Sequence, residues 1–119
     1  MKKTDILNKI IYIPKQFLNG NDSVYSLVKE SGYFEIYNQI KESDIIDVLV
    51  KHLDCIDQWL SHSENNRSGS GWYFKQNDNG KYIVGYLPIE GNMKVTEYLD
   101  KIEACAAFVK QKIEEVRNA

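Results

Sequence analysis

The chain has 119 residues, 43% hydrophobic and 27% charged, the size and balance of one ordinary folded domain and not of a disordered segment. A net charge of −2 lacks the strongly basic footprint that releases counterions from phosphates, which argues against a nucleic-acid partner. No stretch approaches the roughly 18 apolar residues of a membrane span and no long apolar run follows the N-terminal lysines, so the default expectation is a cytoplasmic protein without a membrane partner.

Charge is unevenly spread. Residues 1–20 hold four Lys against one Asp, residues 21–66 nine acids against three Lys, residues 67–94 four bases against two acids, and the remainder four bases against five acids. The acidic middle is the outlier.

Thr4 is a candidate cap for a first helix to about Tyr12 or Ile13, with Ile6, Leu7, Ile10, Ile11 and Ile13 on a broad apolar side. Pro14 limits it, because the residue before a proline is pushed out of α geometry. Asn19 to Asp22 form a polar break, Ser23 caps a short helix to about Lys29, and Gly32 ends it. Tyr33 to Ile40 fits either a helical stripe through Phe34, Tyr37 and Ile40 or an extended segment; helix is the favoured reading. From Ser43 to about Ser61 the spacing predicts one long helix, with Asp44 and Asp47 near the positive end of its dipole. Ile45, Ile46, Leu49, Leu53, Ile56, Trp59 and Leu60 fall within an arc of about 140°, the width of a core-facing stripe. Asp47, Lys51, Asp54 and Asp57 take the opposite side.

After a loop over His62 to Gly71, the run WYFKQNDNGKYIVGYL reads as a β-hairpin. A two-residue turn at Asn79-Gly80 sets Phe74 against Gly85 and Trp72 against Leu87. A longer loop with Gly80 as a bulge sets Phe74 against Val84 and Trp72 against Tyr86. Either register puts Trp72 and Phe74 on one face and Tyr73 and Lys75 on the other, the Lys75 face being the more exposed. Pro88 to Asn92 make a second turn and Met93 to Tyr98 a third strand. Asp100 and Glu103 have capping-box spacing for a helix from Lys101 to about Arg117, whose Ala104, Ala106 and Ala107 permit close approach to a sheet. The expected fold is a single α+β domain over residues 1–119. Its three-stranded antiparallel meander, about 71–76, 81–87 and 93–98, packs against N-terminal helices and a C-terminal helix.

Chemistry is sparse. Cys55 and Cys105 have no CxxC or Cys/His metal spacing, and both fall at apolar helix positions, so no cofactor or metal is expected. His52 and Cys55 are one helical turn apart without a third ligand or an orienting group. Ser68-Gly69-Ser70-Gly71 matches neither a phosphate loop nor a nucleophile elbow and enters a strand, so it reads as a connector. One alternative is a small hydrolase or ligand-binding enzyme using His62, Glu64 and Arg67 beside the hairpin. Another is a single-strand nucleic-acid platform from Arg67, Lys75, Lys81 and Lys94 among the hairpin aromatics, for which four bases are few. The leading expectation is a non-enzymatic protein-binding surface. Its candidate contacts are the acids Asp47, Asp54 and Asp57 together with Arg67, Tyr73, Lys75, Tyr82 and Tyr86.

The block SENNRSGSGWYFKQNDNGKYIVGYLP, with EACAAFVKQKI after it, resembles a motif pair in an uncharacterised family of small bacterial proteins that share S-E-x-x-R-S-x-S-G-W-Y-F. In size, acidity and aromatic content the chain is also similar in kind to the immunity proteins that accompany polymorphic and contact-dependent toxins. That resemblance implies direct binding to a basic toxin domain, and it brings no catalytic residues with it.

Overall fold

A computed structural model describes residues 2–20, 22–65, 71–87 and 94–118. Strands β1 (Gly71–Gln76), β2 (Tyr82–Leu87) and β3 (Lys94–Tyr98) form an antiparallel meander in that order. Helices α1 (Lys3–Ile11), α2 (Ile13–Asn19), α3 (Val24–Ser31), α4 (Tyr33–Ile36), α5 (Glu42–Leu49) and α6 (Asp54–Asn65) precede the sheet, and α7 (Lys101–Arg117) follows it. The expected α+β class and meander are therefore observed. Arg67, residues 68–70 of the Gly/Ser stretch, the Pro88–Asn92 turn and Met93 lie outside the described residues.

Local chemistry accounts for most boundaries. Ser23 Oγ accepts the Ser26 N–H at 3.1 Å, Gly32 closes α3 at φ 95°, and Asp100 Oδ1 accepts the Ile102 N–H at 2.7 Å to start α7. At the hairpin, Asn77 N–H donates to the Lys81 carbonyl (2.7 Å), Gly80 N–H donates to the Asn77 carbonyl (3.0 Å), and Gly80 has φ 84°. These bonds define a three-residue loop with a left-handed glycine, so the second register holds and Phe74 pairs with Val84, Trp72 with Tyr86.

Helix α7 is the central element. Six consecutive residues from Ala104 to Val109 are buried, as a helix covered on all sides requires, and it packs against all three strands on one side and against α5 and α3 on another. Phe74 of β1 stacks on Phe108 of α7 at 5.6 Å, and Phe108 meets Trp59 of α6 edge-on at 5.8 Å. The indole N–H of Trp59 donates to the Ile11 carbonyl at 3.1 Å, anchoring α6 to the end of α1. Ser63 Oγ accepts the Phe74 N–H at 2.8 Å, so α6 also covers the β1 edge of the sheet.

Several expectations change: Thr4 lies inside α1 and does not cap it, and α6 runs on through residues 62–65, expected in a loop. The chain continues past Pro14 into α2, because proline in the first turn of a helix loses no intrahelical bond. The predicted helix from Ser43 to Ser61 is two helices, α5 and α6, separated by Val50–Leu53. A straight rod of that length packs against one surface only, whereas α5 packs on α1 and α7, and α6 on β1, α2 and α7. Leu53, placed in the core by straight-helix periodicity, is 46% exposed. Finally, Tyr73 is only 6% exposed although it shares the face of Lys75. Its ring lies over its cross-strand partner Gly85, where any Cβ would overlap it, and Lys75 Nζ stands 5.9 Å from the ring centroid.

Gly85→Ala is expected to lower stability by about 1–3 kcal/mol through this collision. In a Tyr73→Ala background the same substitution is expected to be nearly neutral. Equilibrium urea unfolding of the four variants measures both, and an additive cycle contradicts the packing described.

Candidate functional site

Cys55, Ile56, Trp59, His62 and Ser63 form the buried stripe of α6, and this leaves Asp54, Asp57 and Ser61 exposed and Gln58 half-buried on the other side. Helix α2 lies alongside because Phe17 packs edge-on against His62 at 5.2 Å, and His62 in turn against Trp59 at 5.7 Å. With Phe17 turned inward, the next residue, Leu18, points outward and is 75% exposed. Lys15 and Leu18 of α2 and Asp57, Gln58 and Ser61 of α6 line a depression of about 260 Å³. The corner between α5 and α6 adds Val50 and Leu53, 49% and 46% exposed, close in sequence to the exposed Asp47 and Asp54.

Two of the predicted acids, Asp54 and Asp57, thus share one face with exposed leucine, and Asp47 stands on the separate helix α5. The hairpin candidates do not join them. Tyr82 and Tyr86 lie on the Trp72/Phe74 side, toward α7, and are half-buried; Tyr73 is buried on the opposite side, with Lys75 exposed above it. Arg67 is outside the described residues. Leu18, Val50 and Leu53 were not readable as surface contacts, since each belongs to an element whose course is set by tertiary packing.

A second concavity, of about 550 Å³, lies between the sheet and the last turns of α7, lined by Trp72, Tyr86, Lys94, Gln111, Glu114, Glu115 and Asn118. Trp72 and Tyr86 are in tilted ring contact at 5.3 Å. Glu114 is already engaged: Arg117 donates to both its oxygens (2.7 and 3.2 Å) and the Tyr33 hydroxyl donates to Oε2 at 2.6 Å, which hold its carboxyl below the usual carboxylate range. Burial and this acceptor raise the Tyr33 phenol. Arg117 also lies over the Tyr37 ring at 3.7 Å.

The nucleophiles and bases are taken up by packing. Burial, with the Asp54 charge adding, pushes the Cys55 thiol up to about 11, and burial raises Cys105 as well, away from the thiolate needed for attack. Both are free thiols buried in the same hydrophobic core. Tyr12 Oη and His52 Nδ1 are 3.0 Å apart. His62 is buried among Phe17 and Trp59, Ser63 Oγ is bound to the strand, and Glu64 faces solvent, so these three consecutive residues do not converge. Among the described residues no group of His, Cys, Asp and Glu is arranged to hold a metal ion, and no helix is long and apolar enough to cross a membrane. Comparison with protein-family models, curated proteins and solved structures finds no match to this chain.

Burial, with the Lys112 charge adding, lowers the His62 imidazole below its ordinary value. The unfolded chain therefore binds the extra proton first as pH falls. The stability that His62 contributes is complete above the unfolded value of about 6.5 and is lost progressively below it. Chemical unfolding between pH 7.5 and 5 is expected to show declining stability in the parent protein and a flatter profile in His62→Gln; equal slopes would contradict a buried neutral His62.

Proposed function

We propose that the chain is a non-enzymatic binding protein, most concretely an immunity protein that neutralises a cognate bacterial toxin domain by covering its basic active-site surface. The observation that carries this reading is the outward face of α6, where Asp57 shares a depression with the 75% exposed Leu18 and Asp54 is exposed about one turn earlier. Exposed leucine rimmed by charge is the composition of a docking patch: the apolar part supplies burial, and the acids steer and orient a basic partner. Asp47, at the far side of the corner, extends the negative field. Burial that keeps both thiols protonated, and the packing of His62 between Phe17 and Trp59, support binding over catalysis.

A second reading, small-ligand binding, is favoured by one feature only, the Trp72–Tyr86 pair in the cleft beside α7. Aromatic walls with amide and charged groups are the usual lining of such sites. The two readings separate by mutation, because Trp72→Ala removes the cleft's wall and leaves the α6 face intact.

For the leading reading, the partner to test is the product of the gene adjoining that of this chain, as a candidate toxin domain. The parent chain is expected to restore growth of cells expressing that domain and to bind it directly. Asp54→Lys combined with Asp57→Lys is expected to weaken binding roughly tenfold or more at low salt, with a smaller effect at high salt. Isothermal calorimetry at two ionic strengths checks this, and unchanged affinity at low salt would remove the α6 face from the interface.

A further inference from the structure

We infer that the outer edge of β3 pairs with the same strand of a second copy of this chain, giving an antiparallel, two-fold symmetric dimer whose sheet runs β1-β2-β3-β3-β2-β1. The sheet has one covered edge and one open edge. At β1, the Phe74 N–H points off the edge and is taken by Ser63 Oγ of α6. At the other side, β3 is hydrogen-bonded to β2 alone among the described residues, and Lys94, Val95, Thr96 and Glu97 are all exposed. An open strand edge is a template for another strand, and a sheet with only one of them closes at a dimer instead of growing into a filament.

The backbone decides which groups are on offer. Residues of an antiparallel ladder turn their N–H and C=O alternately to one neighbour and the other. The Asn77–Lys81 bond fixes that alternation, with Phe74 outward on β1, so Lys94, Thr96 and Tyr98 spend their backbone groups on Tyr86, Val84 and Tyr82 of β2. Val95 and Glu97 turn theirs off the open edge. A two-fold axis at Thr96 pairs every one of these groups, because Val95 of each copy then exchanges both bonds with Glu97 of the other. In that register Thr96 faces Thr96, a favourable cross-strand pair, and Lys94 faces Tyr98, the ammonium-to-ring pairing that Lys75 and Tyr73 already make within the chain. Charged residues ordinarily guard an edge strand against such contacts. Here they do not oppose it: Glu97 falls opposite Val95 and is already bound by Lys81 at 3.5 Å, and Lys94 meets no like charge. The Glu97 stem also covers Val95, which is 48% exposed in the single chain. The next symmetric register toward Tyr98 sets Glu97 against Glu97, and the next toward Lys94 runs Glu97 past the end of the partner strand.

One short strand makes a small interface, so the association is weak. Sedimentation velocity of the full chain from about 5 to about 500 µM is expected to show a monomer–dimer equilibrium with its midpoint at roughly tens of micromolar and no larger species. Thr96→Lys and Thr96→Glu each set like charges face to face across the axis and are expected to weaken dimerisation about threefold or more, while an equimolar mixture of the two associates at least as tightly as the parent. That rescue requires Thr96 opposite Thr96. A second measurement needs no substitution: raising the parent chain from about 50 µM to about 1 mM is expected to slow amide exchange at Val95 and Glu97 about threefold, and far less at Thr96 and Tyr98, whose N–H groups β2 already holds. A monomer throughout the range, assemblies that keep growing with concentration, a dimer indifferent to both Thr96 variants, or a mixture that fails to associate would overturn the pairing.

Discussion

The indole of Trp59 is the contact on which the rest of the arrangement depends. Its ring packs on Phe108 and His62, and its N–H donates to the Ile11 carbonyl. Through Phe108 it reaches Phe74 and the sheet, and through His62 it reaches Phe17 and α2. A continuous line of rings therefore runs from β1 through α7 and α6 to α2. Removing the indole would cost about 3–5 kcal/mol by analogy with other buried tryptophans. It would also leave the Ile11 carbonyl without the donor that positions α6.

The same line of rings explains the outer face. Holding Phe17 against His62 forces Leu18 into solvent, and interrupting the helix at Val50–Leu53 turns Leu53 outward while Cys55, Ile56 and Trp59 turn in. Exposed leucines beside Asp54 and Asp57 are thus a consequence of how the core closes. The groups that might have supported catalysis are consumed by the interior in the same process: Ser63 by the strand edge, His62 by the rings, both cysteines by burial.

Much of this was legible from residues alone, and the failures have a common origin. Ser23, Gly32, Asp100 and the Asn77–Lys81 loop act through neighbours in sequence, and each is found where local chemistry placed it. Only the choice between two hairpin registers required coordinates, because it turns on whether Asn79 shares the positive φ of Gly80, and it does not. The division of the Ser43–Ser61 segment was not legible, since its apolar spacing is equally compatible with one straight helix or two short ones. Helix α2 was hidden for a related reason: seven residues containing a proline carry little periodic signal, and what stabilises them is a ring contact to a residue 45 positions away. The acids Asp54 and Asp57 were visible in advance; their apolar neighbour Leu18 was not. Tyr73 was misjudged because strand alternation assigns a face and says nothing of whether a glycine opposite lets a ring lie down and cover itself.

The claim at the centre of this account is that the face built by α2 and α6 is the docking surface. Hydrogen–deuterium exchange of the chain, free and bound to the product of the adjoining gene, tests it most directly. The account predicts that amides of residues 13–20 and 50–61 exchange at least about tenfold more slowly in the complex, with the hairpin and the last turns of α7 unchanged. Protection confined to β1, β2 and the C-terminal half of α7, with residues 13–20 and 50–61 unaffected, would contradict it and move the interface to the Trp72–Tyr86 cleft.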